Sequence, residues 1–282
     1  MRVSKECEIC LRDLARQASE LATADEALRR TAKSGAEAII KEKFAPGQII
    51  SIRIATPVHD HIKRHTANPD PYRAVKDVEI QAAHELFSAI NGKYKKDNFV
   101  DMLKLAATGN AIDFFRPIEE VKREIADLRL EFTVDDSRKL EGKVRKARNI
   151  LYLADNAGEV FFDLPLLKLM RNYARTVYVV KAAAVQNDIT LEDIKRAGLQ
   201  KEVGDIMTTG TATPGVLFEL ASDEFKQAFE AADFIFAKGM GYYETLGELP
   251  CSGRVFNCLK AKCQPVADSL GVPKGSYVAM LR

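Results

Sequence analysis

The sequence has no apolar run long enough to cross a bilayer, no signal-peptide core in its opening "MRVSKECEICLRDLARQ", and no long block of one charge. The first two absences lead us to expect a cytosolic protein without a membrane partner. The third, with a net charge of only +2 over 282 residues, argues against a nucleic-acid binder that works through bulk charge. Five cysteines are an odd number, so a full disulfide framework is not expected. Cys7 and Cys10 form one CxxC; a zinc ribbon needs two such pairs, and Cys251, Cys258 and Cys263 follow far away at spacings of seven and five. That CxxC opens a helical pattern instead of following a strand. An N-terminal helix with two partly buried thiols is therefore a simpler reading than a thioredoxin-like or zinc role. There is no GxSxG, Walker loop or GxGxxG. His61 and His65 are four apart, close to His59. However, "HDHIKRH" lacks the glutamate of HExxH and mixes in basic residues, as a solvated helix face does. Neither an internal repeat nor a low-complexity segment is present.

What is present divides near the polar "DDSRKLEGK", Asp135 to Lys143, into residues 1–140 and residues 141–282. The first part reads as mainly helical. Leu11, Leu14, Ala15, Ala18 and Leu21 recur at helical spacing. Thr23 and Glu26 predict a capping box for a helix to about Ile40, and "NPDPY" predicts a turn. Val75, Val78, Ala82 and Leu86 mark the next helix. "DMLKLAATGNAIDFF" predicts another, interrupted at Gly109 and Asn110, and Pro117 sits at a natural helix start. The second part changes period. "NILYLAD", "TVYVVKA", "DFIFAKG", "SYVAML" and "VGDIMTT" read as strands, with helical "DLPLLKLMRNYA", "TLEDIKRAG" and "DEFKQAFEAA" between them. Thr190 is placed to cap the second of these helices and Gly198 to end it. Such alternation predicts an α/β fold, with right-handed βαβ units and a mostly parallel sheet covered on both faces.

In an open parallel sheet, ligands bind beyond the carboxyl ends of the strands. "NILYLA" delivers Asp155 and Asn156 to that edge, "TVYVVKA" leads to Asp188, and "DFIFAKG" ends in Lys238 and Gly239. "IMTTGTATPG" adds Thr209, Gly210 and Thr211 after a further strand. Carboxylate and amide oxygens suit a hard divalent cation, and a lysine with exposed amides suits a phosphate. Each piece alone has a plainer reading: a turn or N-cap for the Asp-Asn pair, a surface lysine, a glycine-rich loop. Their repetition at successive strand ends points to metal-assisted phosphoryl transfer.

The ordered set "YLADNAGEVFFDLPLL", "VYVVKAAAVQNDITLEDIKRAGL", "TTGTATPG", "DEFKQAFEAADFIFAKGMGYYETL" and "KCQPVADSLGVPKGSYV" resembles the metal-dependent damage-control phosphatases, a family formerly catalogued as a domain of unknown function. "CEICLRDLARQA", "NPDPYRAVK" and "AATGNAIDF" resemble its short prokaryotic branch, so the likeness runs over nearly the whole chain. The resemblance implies a helical N-terminal region packed on a Rossmann-like three-layer α/β/α domain. It implies one divalent ion (manganese, magnesium, nickel or cobalt) held by Asp155, Asn156 and Asp188, and a small phosphorylated metabolite as substrate. Asp155 would be central to turnover, Lys238 would contact the phosphate, and Glu159 would orient water or touch substrate. Asn110 would reach the cleft from the helical region, with Gly239, Thr209, Gly210 and Thr211 around the phosphate and Asp113 bracing a helix. The family more usually carries asparagine where Tyr242 stands, and the CxxC has no role in it that carries over. Two other classes fit a Rossmann-like sheet: an S-adenosylmethionine-dependent methyltransferase, for which "LADNAGEV" is a poor glycine-rich turn, and a non-catalytic metal- or metabolite-binding protein.

Overall fold

The computed structural model describes residues 2–111, 118–250 and 253–282. The chain opens with three helices, α1 (Lys5–Ala22), α2 (Glu26–Lys43) and α3 (Ile52–Thr66). Ala15 and Ala18 of α1, Ala36 and Ile40 of α2, and Val58 and Ile62 of α3 share a core of their own. Asp25, not a Thr23–Glu26 box, starts α2. Its carboxylate accepts from the amides of Ala27 and Leu28 at 2.9 and 3.0 Å, while Thr23 Oγ1 accepts from the Asp25 amide. An anionic cap also answers the positive end of the helix dipole.

Helices α4 (Arg73–Ile90), α5 (Phe99–Gly109) and α6 (Ile118–Asp127) belong to a different core, the one beneath the sheet. The expected helical region is thus two bodies of packing. The expected break at residue 140 also falls inside helix α7 (Ser137–Val144), because the sheet begins earlier, with β1 (Phe132–Asp135). The alternation then runs β2 (Asn149–Leu153), α8 (Val160–Arg171), β3 (Arg175–Val180), α9 (Leu191–Arg196), α10 (Gln200–Val203), β4 (Ile206–Thr208), α11 (Asp223–Ala231), β5 (Phe234–Lys238), α12 (Gly239–Leu246), β6 (Val255–Lys260), α13 (Gln264–Leu270) and β7 (Tyr277–Leu281). Thr190 caps α9, accepting from the Asp193 amide, and Gly198 follows with φ +70°, as expected.

Among the described residues, seven strands form one sheet in the order β1-β7-β6-β5-β2-β3-β4. Every pairing is parallel except β6 with β7. Period-2 alternation sorts the central strands between two layers. Ile150, Tyr152, Phe234 and Phe236 face the core shared with α4, α5 and α8, while Leu151, Leu153, Ile235 and Ala237 face the core of α11 and α12. From β2 the chain progresses outward through β3 and β4, then returns to the other side of β2 for β5 and β6. The order therefore reverses between β2 and β5, and an α/β sheet opens its ligand crevice at such a point.

Candidate active site

The crevice is a cavity of about 570 Å³ at the carboxyl ends of β2, β3, β5 and β6, walled on the outside by α1. Asp155 and Asn156 leave β2 there, and the loop after β3 folds back onto them. The Asp155 carbonyl accepts from the Ile189 amide at 2.8 Å, Asn156 pairs with Asp188 in an antiparallel bridge, and the Ala157 amide donates to the Asn187 carbonyl at 2.8 Å. Backbone pairing thus brings Asp155, Asn156 and Asp188 together on the cavity wall, as the strand-end argument expects. Gly239 completes the arrangement at the first position of α12. Its φ is +79°, and a β-carbon there would stand 1.9 Å from Asp155 Oδ2, so the carboxylate occupies the space a side chain would take. Gly158 has a different reason to be glycine: it lies against α4, where a β-carbon would meet the Glu79 carbonyl at 3.2 Å.

Behind these groups lies a buried polar cluster. Glu159 is fully buried and accepts from Asn110 Nδ2 at 2.9 and 2.8 Å and from Asn156 Nδ2 at 2.7 Å. Lys238 Nζ stands 2.7 Å from Glu159 Oε2 and also donates to Asp163 Oδ1 at 2.7 Å and the Ala106 carbonyl at 2.8 Å. Asp163, on α8, further accepts from the hydroxyls of Tyr152 and Tyr178 at 2.7 and 2.8 Å. The three hydrogens of the Lys238 ammonium are therefore engaged, and Lys238 does not line the cavity. The structure places Lys238 inward, where it anchors Glu159, and Glu159 in turn bonds Asn110 and Asn156. Both Glu159 oxygens are engaged by these partners, and Glu159 does not line the cavity.

Charge shows what the site would accept. Asp155, Glu159, Asp163 and Asp188 outnumber the two buried ammoniums beside them, Lys181 and Lys238, and Lys262 and Lys76 also act on Asp155 and Asp188. Burial, then Glu159 and Asp188, push the Asp155 carboxyl well above the usual carboxylate range. Burial likewise pushes Asp188 up to about 6 against the opposing pull of Lys181. Asn110 Oδ1 and Asp188 Oδ2 are buried without a hydrogen-bond partner among the described residues, and both residues line the cavity. Two carboxylates and carboxamide oxygens match a hard dication. No group of three His, Cys, Asp or Glu is arranged as a cation cage among the described residues, so a cation held here would need Asn156 beside the two carboxylates.

The glycine-rich loop reaches the cavity with other residues than expected. Pro214 and Gly215 line it, whereas Thr209, Gly210 and Thr211 do not. Thr209 is buried and bonds within the loop, and a β-carbon on Gly210 (φ +75°) would strike Ser222. The cavity's cations come instead from Lys260, Lys262 and Lys274 at the β6 side. Lys262 lies close enough to Asp155 for its charge to lower that carboxyl's pKa. Sequence reasoning missed it because β6 was not recognised. Cys7, Cys10 and Cys263 line the outer part of the cleft, and burial raises the thiols of Cys10 and Cys263, which keeps them protonated. His61 and His65 stack on each other on α3, away from the cavity. Asp113, Pro117 and Cys251 lie outside the described residues.

The model of the damage-control phosphatase ARMT1-like domain matches residues 3–278. The chain is 38% identical to a damage-control phosphatase of Pyrococcus horikoshii, over 99% of this chain and 98% of that one. It is 29% identical to a damage-control phosphatase of Archaeoglobus fulgidus, over 99% of each. The crystal structure of a DUF89 family protein from Pyrococcus horikoshii superposes with a TM-score of 0.90 at 36% identity, covering 100% of this chain and 99% of the other. A switch-point crevice with an Asp-Asn-Asp wall is thus found in a chain that matches this family from end to end, and the protein belongs to the damage-control phosphatase ARMT1-like family.

Proposed function

We propose that this protein is a divalent-metal-dependent phosphatase of small phosphorylated metabolites: sugar phosphates, phosphopantetheine-like molecules or damaged phosphate esters. The observation that carries the reading is the backbone clamp that sets Asp155 and Asn156 against Asp188 on the wall of a crevice whose buried carboxyls outnumber its buried ammoniums. Family membership supports the reaction class, and a cavity of about 570 Å³ suits a small molecule.

Asp155, Asn156 and Asp188 would hold the cation. When bound, it supplies polarisation of the phosphoryl group and acidification of water. The remaining work falls to the chain. The first turn of α12, from Gly239 to Gly241, lines the cavity with amides that have no partner within the helix, and a helix N-terminus binds phosphate oxygens. Lys262 adds a positive charge on the same side, the role expected of Lys238. Asn110, fixed through Nδ2 by Glu159, presents Oδ1 as an acceptor for a substrate hydroxyl or amine. Lys238 and Asp163 keep this acceptor and Asn156 from rotating.

The test is hydrolysis of p-nitrophenyl phosphate by chelator-stripped protein, with magnesium, manganese, cobalt and nickel added back singly. Turnover restored by a metal and absent from Asp155→Ala is the expected result. A folded Asp155→Ala enzyme with full metal-dependent activity would overturn the site. Metal binding without turnover on this ester or on a panel of phosphorylated metabolites would make the protein a binding module.

A further inference from the structure

Lys181 follows β3 directly, and its side chain is buried without lining the cavity. Its ammonium donates to the Gly215 carbonyl and, at 3.0 Å, to the hydroxyl of Tyr242, and it lies 4.1 Å from the centre of the Tyr242 ring. The same nitrogen is 3.4 Å from Asp188 Oδ2, longer than a charge-assisted hydrogen bond of about 2.7–2.9 Å. That oxygen accepts no hydrogen bond from the described residues. Two of the three ammonium hydrogens are thus taken by a loop carbonyl and Tyr242, and these bonds hold Lys181 in a long ion pair with Asp188.

We infer that Lys181 competes with a bound divalent cation for the Asp188 carboxylate, and that Tyr242 sets the strength of this competition by holding the ammonium back. The inference rests on Asp155, Asn156 and Asp188 being a cation site. Both positive charges seek the same carboxylate in a buried setting, where a unit charge a few ångströms away weighs far more than in water. Without the Tyr242 hydroxyl, the ammonium loses one of the two bonds that hold it back and is free to close the 3.4 Å gap to Asp188 Oδ2. Asp188 is then a poorer ligand. Without the Lys181 charge, Asp188 is free to give its full charge to the cation. Lys181 and Tyr242 are positioning residues here, because neither lines the cavity.

The two substitutions therefore move affinity in opposite directions, whereas residues that merely brace the cleft would weaken binding in both cases. Metal-stripped protein is titrated with manganese(II), and free manganese is read by electron paramagnetic resonance beside a thermal melt. Tyr242→Phe, which keeps the buried ring, should weaken binding roughly tenfold, the usual scale for groups that orient a ligand. Lys181→Gln should tighten it by about tenfold or more; Lys181→Met carries the same expected sign if the glutamine variant does not fold. Tyr243→Phe is the control, since that hydroxyl pairs with Ser269 at 2.9 Å, and should leave affinity unchanged. Unchanged affinity in Tyr242→Phe, or weaker binding in the Lys181 variant, would overturn the inference. Manganese bound as tightly by Asp155→Ala as by the wild type would instead overturn the cation site itself.

Discussion

Gly239→Ala isolates one contact that the site depends on. The added methyl would stand 1.9 Å from Asp155 Oδ2, and real β-carbons essentially never approach a neighbour within 3.0 Å. The carboxylate or the start of α12 must therefore retreat by at least 1.1 Å, the difference between those two distances. Alanine would also have to adopt φ +79°, at a cost of about 1–2 kcal/mol. Forcing a methyl into filled space adds about 1–3 kcal/mol. Together these give a loss of roughly 2–5 kcal/mol and a fall in Tm of roughly 3–9 °C for a chain of this size. The loss of function should be larger than the loss of stability. Asp155 would be displaced by more than the tolerance of a cation site, and manganese affinity should fall by about tenfold or more. Calorimetric melting and a manganese titration at 20 °C, where the variant is still folded, measure the two effects separately. A folded Gly239→Ala protein that binds manganese like the wild type would refute the claim that Asp155 fills this space.

Two further outcomes follow from groups on either side of the cleft. His59 is fully buried, and burial, with Lys63 nearby, lowers its pKa from 6.5 to about 3. The folded state refuses a proton that the unfolded chain takes up below pH 6.5, so stability falls as pH drops, and by pH 5 the loss is about 2 kcal/mol; urea titrations at pH 7 and pH 5 should show a difference about that much smaller in His59→Phe, and equal differences would count against it. Lys262→Ala should raise the inhibition constant of inorganic phosphate roughly tenfold while leaving manganese affinity unchanged or tighter; an unmoved phosphate constant would assign the anion site to α12 alone.

The parts of this molecule that were legible in the sequence are those set by local chemistry. The apolar runs of β2, β3 and β5 declare buried strands, and the Asp-Asn and Asp residues at their ends mark the crevice. Thr190 and Gly198 announce the limits of α9. β1 and β6 were missed for separate reasons. "FTVD" has four residues, and "VFNCLK" carries the polar Asn257 and Lys260, although Asn257 is buried with the rest of the strand. Overlooking β6 concealed Lys262. The role of Lys238 was not legible because it depends on partners far away in the chain: Ala106 on α5 and Asp163 on α8 take the ammonium, and nothing near "FAKG" reports them. Asp163 itself is a single acid in the apolar "VFFDLPLL", with nothing local to mark its partners. In the same way, "TGTATPG" announces a loop, but only the fold shows that Pro214 and Gly215 reach the cleft while Thr209 turns inward.

The separate core of α1–α3 has a consequence for how the protein breathes. This helical module meets the rest of the molecule chiefly through polar pairs. Ser51 donates to Glu244 at 2.7 Å, Lys63 donates to the Ala184 carbonyl at 3.0 Å, and Arg53 pairs with Glu219; a small apolar contact joins Ile50 and Ile52 to Leu217. The sheet, by contrast, shares one continuous core with α4, α5 and α8. Cooperative units with few shared apolar contacts open at a lower free energy than the whole protein. Amides of α1–α3 should thus exchange with solvent well before those of β2 and β5. Because α1 walls the cleft, the same opening that admits deuterium would admit a metabolite and release its dephosphorylated product. The catalytic wall would meanwhile stay clamped in the slowest-exchanging part of the fold.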